Sequence, residues 1–415
     1  MKSVDLKTVF TSVRPGGCAE PHLERFAAEL ILAGYAKLSV RDYVRSAAHL
    51  GRWMDSHNLP LERLGETIIA EFAQHQCDCP LACRRGQRPG RRYVRRVRRF
   101  VMYLVRCGVI PPLAQSKPRS VPAPLSGFSA WLTQHRGLKT PTVKRYVRII
   151  EELLPALGHN TATYNAAHVR RVVLRKVKNL SIGYAKNYVT ALRAFLRFLA
   201  VQGRCRSHLD RAVPTVPEWK LSTLPRYLGP EDIDRMLASC DLSKPLGVRD
   251  RAVLLLMVRL GLRAGDIRSM RLDDLDWEAG TVRVLGKGRR EVRLPLPQDA
   301  GEALIEYLDK MRPTASTDHV FLCMNAPVRP ISHSSTVSGI VHAALQRAGI
   351  VNPPSRGAHL LRHSAATAML RSGASLDVIA TVLRHQSTDM TAYYAKVDIQ
   401  MLSEIAQPWP EEAAC

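Results

Sequence analysis

The chain repeats itself, and the repetition limits what its first half can fold into. Residues 40–45 read VRDYVR and residues 143–148 read VKRYVR. Phe26 and Leu30 correspond in the same way to Phe128 and Leu132. Further on, YVRRVRRFVMYLVRCG from Tyr93 corresponds to YVTALRAFLRFLAVQG from Tyr188. Apolar residues in these stretches recur three and four apart, the period of a helix that buries one face. Two copies of one helical unit are therefore expected, over 20–112 and 122–205, behind an N-terminal arm at 1–19. The break between Gly34 and Ser39 predicts two helices, the second capped by Ser39. Residues 206–227 hold three prolines and little periodicity, and read as a linker.

The second half has a different pattern. GPEDIDRMLASC places acidic residues in the first turn of a helix, where they suit its dipole. DRAVLLLMVRLGL, from Asp250, is apolar nearly all round, which predicts a buried helix ending at Gly261. TVRVLGKGRREVRLPL alternates on both sides of Gly-Lys-Gly. Val282 and Val284 face one way, as do Val292, Leu294 and Leu296, which predicts a β-hairpin with Lys287 at its turn. Residues 299–312 and 335–349 read as helices. LLRHSAATAML runs to Gly373, a C-cap. SLDVIATVLRH follows, and AKVDIQMLSEIA has the composition of a short helix. The expected fold is mainly α with a small β-hairpin or sheet: helical N-terminal units, then an α+β domain over 228–407 and a tail at 408–415 that includes Trp409.

Charge bears on the partner. The formal net charge is +25, which favours a polyanion. Between Cys79 and Ile150 there is no acidic residue against 17 lysines and arginines, and ten arginines fall within 84–106. In RRYVRRVRRFVMYLVR, Val94, Val97, Val101 and Leu104 share one helix face and arginines fill the rest. Such a run is ordinarily a solvated face, but a single-signed run repels itself unless something neutralises it. Arg91, Arg92, Arg95, Arg96, Arg98, Arg99, Lys144 and Arg145 are thus candidate contacts to a phosphate backbone, supplying affinity rather than sequence choice. The longest apolar stretch, Ala252–Val258, is too short to span a bilayer, and no signal-peptide core opens the chain, so a cytoplasmic protein without a membrane partner is expected.

Nine cysteines without a framework read as reduced thiols. Four metal-compatible side chains crowd HQCDCPLAC: His75, Cys77, Cys79 and Cys83. Their spacing is tighter than that of separated zinc-binding pairs, so no metal is expected and the cluster stands as a weak candidate.

An ordered set of basic residues leads to the chemistry. His359 and Arg362 lie three apart and share a helix face. Arg263 stands in RLGLRAGDI, Lys287 in LGKGRR, His385 at the end of the next helical run, and Tyr394 nine residues later. In this order the chain resembles the tyrosine recombinase (phage integrase) family, including Xer-type and transposon integrases. The resemblance covers the second half closely and the preceding helical unit loosely. It implies six catalytic residues: Arg263, Lys287, His359, Arg362, His385 and Tyr394. It also implies a C-clamp around DNA, with 122–205 as the core-binding domain and the first unit as an addition.

A phosphodiester resists attack because its oxygens already carry charge. Two guanidiniums can neutralise the pentacoordinate state with forked hydrogen bonds, the role assigned to Arg263 and Arg362. Tyr394 would attack, His359 would take its proton, Lys287 would protonate the departing 5′-oxygen, and His385 would hold the phosphate. Asp266 would orient Arg263. The product is a 3′-phosphotyrosyl link that keeps the bond energy, so no cofactor is implied. The implied partners are double-stranded recombination sites, further copies of the chain as a tetramer on two duplexes, and companion recombinases. Integration or excision of a mobile element is the expected function. Tyr393 competes for the nucleophile's place; Tyr394 is preferred on its spacing from His385 and the Ala-Lys-Val-Asp that follows. Arg384 departs from the glycine many relatives have there. Three alternatives remain: a type IB topoisomerase-like enzyme, a catalytically silent DNA-binding relative, and a zinc-dependent nucleic-acid binder built on 75–83.

Overall fold

A computed structural model describes residues 7–10, 13–77, 88–113, 123–158, 160–217, 224–285, 291–385 and 389–396. The chain divides into two compact units, residues 113–222, and residues 1–112 together with 223–415.

The first unit opens with a short helix α1 (Lys7–Phe10), followed by α2 (Glu20–Leu32), α3 (Lys37–Ser56), α4 (Glu66–Gln74) and α5 (Arg91–Arg106). Helix α2 begins at Glu20, ahead of the clear periodicity, with Pro21 in its first turn. The cap of α3 is Ala36 rather than Ser39, which lies inside the first turn. Phe26, Leu30, Val40, Val44, Ile69, Phe72, Val97, Phe100, Val101 and Leu104 are fully buried, so the apolar stripes expected for these helices do face inward.

The arginine-rich helix is partly neutralised by its neighbours. Arg96 pairs with Asp42 at 2.6 Å, and Arg98 binds Glu66 bidentately at 2.7 and 2.8 Å. Arg99 and Arg106 both reach Glu29. Arg91, Arg92 and Arg95 are exposed at the start of the helix. The run looks single-signed in the sequence because its counter-charges lie on α2, α3 and α4.

The unit at 113–222 repeats the order with α6 (Ala123–Gln134), α7 (Thr140–Leu157), α8 (Ala166–Val177) and α9 (Ile182–Val201). A 3-10 turn precedes α4 and α8 alike, at Leu61–Arg63 and Thr161–Thr163. Phe128 and Leu132 are buried as Phe26 and Leu30 are. Lys144 and Arg145 are exposed on α7. The segment expected to be a linker begins as part of this core. Leu209 and Val213 are buried in it, and Arg193 donates to the Val213 carbonyl at 2.8 Å. Proline content said nothing of these two apolar anchors, nor of the 3-10 turn at Leu209–Ala212.

From residue 224 the first unit continues through α10 (Pro230–Ala238), α11 (Pro245–Leu260), α12 (Ala264–Ser269), β1 (Leu275–Asp276), β2 (Thr281–Leu285), β3 (Glu291–Pro295), α13 (Gln298–Glu306), α14 (Ser334–Arg347), α15 (Ala358–Arg371), α16 (Leu376–Leu383) and α17 (Asp389–Ala395). Helix α11 is central, packed by α10, α13, α14 and α15. The strands form an antiparallel sheet in sequence order, with Val282 opposite Leu294 and Val284 opposite Val292. Val282, Val284 and Leu294 are buried, so the expected hairpin is present with its apolar face inward. Gly373 takes φ +82° just past α15, as a C-cap glycine does. Among the described residues no helix is long and apolar enough to cross a membrane.

Candidate active site

The site is built where two helices end. Helix α11 stops at Gly261, whose φ of +59° suits glycine; a Cβ there would collide with the Leu383 side chain. Helix α16 stops at Arg384, also left-handed at φ 54°. Terminal helix carbonyls lack intrahelical partners and carry partial negative charge. Guanidiniums supply the partners here. Arg362, from α15, donates Nη1 to the Gly261 carbonyl at 2.6 Å and Nη2 to the Leu383 carbonyl. Arg263, the N-cap residue of α12, places Nη2 3.3 Å from the Leu383 and Arg384 carbonyls.

Arg384 brings a third guanidinium, 4% exposed, onto the Asp266 carboxylate. Its Nε and Nη1 are buried without a hydrogen-bond partner among the described residues. Asp266 also accepts the backbone N–H of Arg263 at 2.8 Å. The expected Asp266–Arg263 connection is thus made through the backbone, and the carboxylate's side-chain partner is Arg384.

Of the three guanidiniums, only that of Arg384 is paired with a carboxylate among the described residues; those of Arg263 and Arg362 donate to backbone carbonyls. Burial and then the Arg384 cation lower Arg263, and burial, Arg263 and Arg384 lower Arg362 to about 10. Both remain charged at neutral pH. A half-buried excess of positive charge with unsatisfied donors is suited to an anion.

The histidines and tyrosines complete the cluster. Tyr394, on α17, is 2% exposed and packs with Ala366, Leu370, Ile379 and Leu383. Its hydroxyl lies 2.9 Å from Nδ1 of His363, a residue the sequence motif did not single out. His359, expected to be the proton acceptor, sits one turn earlier on α15 with its ring 6.4 Å from that of His363. His385 stacks nearly parallel to Tyr394, 6.2 Å between ring centres, and its Nδ1 meets Thr391 Oγ1 at 2.8 Å. Burial pushes Tyr394 up to about 12, against the pull of Arg362. Burial, then His359 and Arg362, lowers His363 to about 4; burial and the two arginines do the same to His385. Burial and those arginines also lower His359. These shifts bias all three imidazoles toward the neutral form and make each a weaker base, and the phenol keeps its proton until something in the site changes.

Tyr393 faces elsewhere: its hydroxyl donates to the Leu224 carbonyl at 2.7 Å. Five of the six expected catalytic residues, Arg263, His359, Arg362, His385 and Tyr394, thus gather around the ends of α11 and α16. Lys287 lies outside the described residues, as do Cys79, Cys83 and Trp409. The sequence carried one unused signal for His363, its i+4 spacing from His359, which places both on one helix face.

Comparisons with known proteins agree with this architecture. The phage integrase family matches residues 226–401. Integrase/recombinase y4rA of Sinorhizobium fredii (strain NBRC 101917 / NGR234) is 36% identical over 96% of both chains. Tyrosine recombinase XerC of Vibrio cholerae serotype O1 (strain ATCC 39541 / Classical Ogawa 395 / O395) is 28% identical over 69% of this chain and 92% of its own. Among solved structures, a lambda integrase tetramer bound to a Holliday junction matches with a TM-score of 0.53 and 18% identity. That match covers 74% of this chain and 88% of the other.

Proposed function

The chain belongs to the phage integrase family of tyrosine recombinases, enzymes that cleave and rejoin DNA in site-specific recombination, and on that premise we propose that Tyr394 is its nucleophile. The observation that carries the assignment is the Tyr394 hydroxyl held by His363 beside Arg263 and Arg362, while Tyr393 is committed to a backbone carbonyl.

In the proposed reaction the non-bridging oxygens of the scissile phosphate replace the Gly261, Leu383 and Arg384 carbonyls as acceptors for the two arginines. Charge developing on the phosphorane then meets donors already oriented by the fold. Tyr394 Oη bonds to phosphorus and loses its proton to an imidazole. The bond to the 5′-oxygen breaks, and that oxygen takes a proton from Lys287, the general acid that the family resemblance supplies. At 2% exposure Tyr394 meets the phosphate only after α17 shifts, so DNA binding and activation are one event. The free 5′-hydroxyl of a partner duplex reverses the step and completes the exchange. The exposed Arg91, Arg92, Arg95, Lys144 and Arg145 grip backbone phosphates. Four copies act on two duplexes, an arrangement supported by the lambda integrase tetramer, and the work is done in the cytoplasm on the ends of a mobile element. The unbridged cysteines Cys18, Cys107, Cys205, Cys240 and Cys323 suit that compartment.

The test is strand exchange between two linear duplexes carrying the ends of the chain's own element, with no companion recombinase and no metal added. Recombinant duplexes of the lengths set by the sites are expected. Relaxation of a supercoiled plasmid irrespective of those sites, without exchange, would instead identify a topoisomerase-like enzyme.

The proton acceptor is testable separately. His363→Gln keeps a polar group at Tyr394 but removes the base, and single-turnover cleavage should slow by about 10²-fold or more. Wild-type cleavage should fall as pH drops toward the depressed histidine range, because a protonated imidazole cannot accept. His363→Gln should flatten that acid limb. Wild-type rates in His363→Gln together with a loss in His359→Gln would return the role to His359.

A further inference from the structure

The first helical unit holds a side-chain cluster that recombination does not use. His49 from α3, His75 just past α4, and Cys77 bring one ligand atom each within 4.8 Å of one another. The pair His49 and Cys77 is buried, at 9% and 4% exposure, and His49 Nε2 lies 3.2 Å from Cys77 Sγ. On a tetrahedral zinc ion, bond lengths of about 2.3 Å to sulfur and about 2.0 Å to nitrogen put those two atoms roughly 3.5 Å apart. The observed spacing needs only a small adjustment to admit the ion.

The outer contacts fit the same reading. His75 Nδ1 is held by the Phe72 carbonyl, and His49 Nδ1 by the Tyr93 hydroxyl at 2.9 Å. A carbonyl accepts only from a protonated nitrogen, so the His75 tautomer carries its lone pair on Nε2. Partners of this kind on the second ring nitrogen orient metal-bound histidines. Phe72 and Trp53 pack on the His75 ring, at 4.8 and 5.7 Å between centres, and give the cluster an apolar wall. Two imidazoles and a thiol suit zinc, whereas calcium and magnesium take oxygen ligands.

We propose that His49, His75 and Cys77 bind a zinc ion that ties α3 to the end of α4, three protein ligands that leave the fourth tetrahedral position to water. The sequence pointed only to the crowded segment 75–83. The buried partner, His49, comes from the preceding helix, and the described ligand set is therefore two histidines and one cysteine. An ion here links residues far apart in the chain and adds its binding energy to the folding of a small helical bundle.

The experiment uses the full chain, purified without chelators or an immobilised-metal column. Elemental analysis should find about one zinc per chain in the wild type and almost none in Cys77→Ser or His49→Gln. Cobalt(II) added to the metal-stripped wild type should give the thiolate charge-transfer and d–d bands of a tetrahedral site. Cys77→Ser should lose the charge-transfer band while keeping wild-type far-UV circular dichroism, which separates lost ligation from lost folding. Zinc should raise the thermal unfolding midpoint of the wild type and not that of Cys77→Ser. The proposal is overturned if folded wild type takes up no zinc from a micromolar excess and shows no cobalt–thiolate band. It is equally overturned if Cys77→Ser binds zinc as the wild type does; the cluster is then a hydrogen-bonded His–Cys core contact.

Discussion

Tyr394→Phe should abolish covalent capture of DNA, and Tyr393→Phe should leave it largely intact. On a nicked suicide duplex carrying the ends of the element, the Tyr394 variant is expected to lose at least about 10⁴-fold in adduct yield, the scale on which nucleophile deletions act. The fold should survive. Phe keeps the ring that stacks on His385 and packs against Leu370, Ile379 and Leu383, and gives up only the hydrogen bond to His363. That loss costs about 1 kcal/mol. Tyr393→Phe gives up its bond to the Leu224 carbonyl at similar cost in stability, without touching the arginine cluster. An adduct that persists in Tyr394→Phe and vanishes in Tyr393→Phe would move the nucleophile by one residue. It would also require α17 to turn by about 100°, the angle between successive helix positions.

Asp266→Ala is expected to have the largest effect on stability. Among the described residues the Asp266 carboxylate is the acidic group paired into this arginine cluster, and its partner Arg384 is 4% exposed. Removing it strands a buried charge whose Nε and Nη1 already lack partners among the described residues. Breaking a buried pair from one side costs about 3–5 kcal/mol. The midpoint of urea unfolding should fall accordingly, and binding of inorganic phosphate or DNA should partly restore it by supplying the missing anion. Arg384→Gly should behave differently. It loses the same pair but removes the stranded charge, and it relieves a left-handed residue, worth about 1 kcal/mol or more of backbone strain. The double variant Asp266→Ala, Arg384→Gly should therefore unfold at a higher urea concentration than Asp266→Ala alone. Equal midpoints for Asp266→Ala and wild type would mean that the pair contributes nothing to the fold. A glycine would suit the left-handed backbone at position 384, and this chain instead carries an arginine whose guanidinium sits on Asp266.

Much of this was legible beforehand because it depends on local periodicity. The 3.6-residue stripes of α5 and α9, the all-round apolar α11, the alternation that gives β2 and β3, and the glycine past α15 each follow from residues within a few positions of one another. The order Arg263, His359, Arg362, His385 and Tyr394 was likewise readable as a family pattern, and the fold gathers those side chains at two helix ends.

Partnerships across the fold were not legible. The sequence could not give Arg96, Arg98 and Arg99 their counter-charges, because Asp42, Glu66 and Glu29 arrive from other helices. It did not assign the tyrosine hydroxyl to His363 over His359, since the two share a face and only the seat of α17 distinguishes them. It gave no sign that Asp266 would meet Arg384, or that His49 would join Cys77. The amino-acid order by itself determined which elements form, which faces they bury and which chemistry they carry. The tertiary structure decided which charged and titratable groups meet, because such meetings depend on how helices distant in the chain pack, and periodicity along one helix carries no information about its neighbour's register.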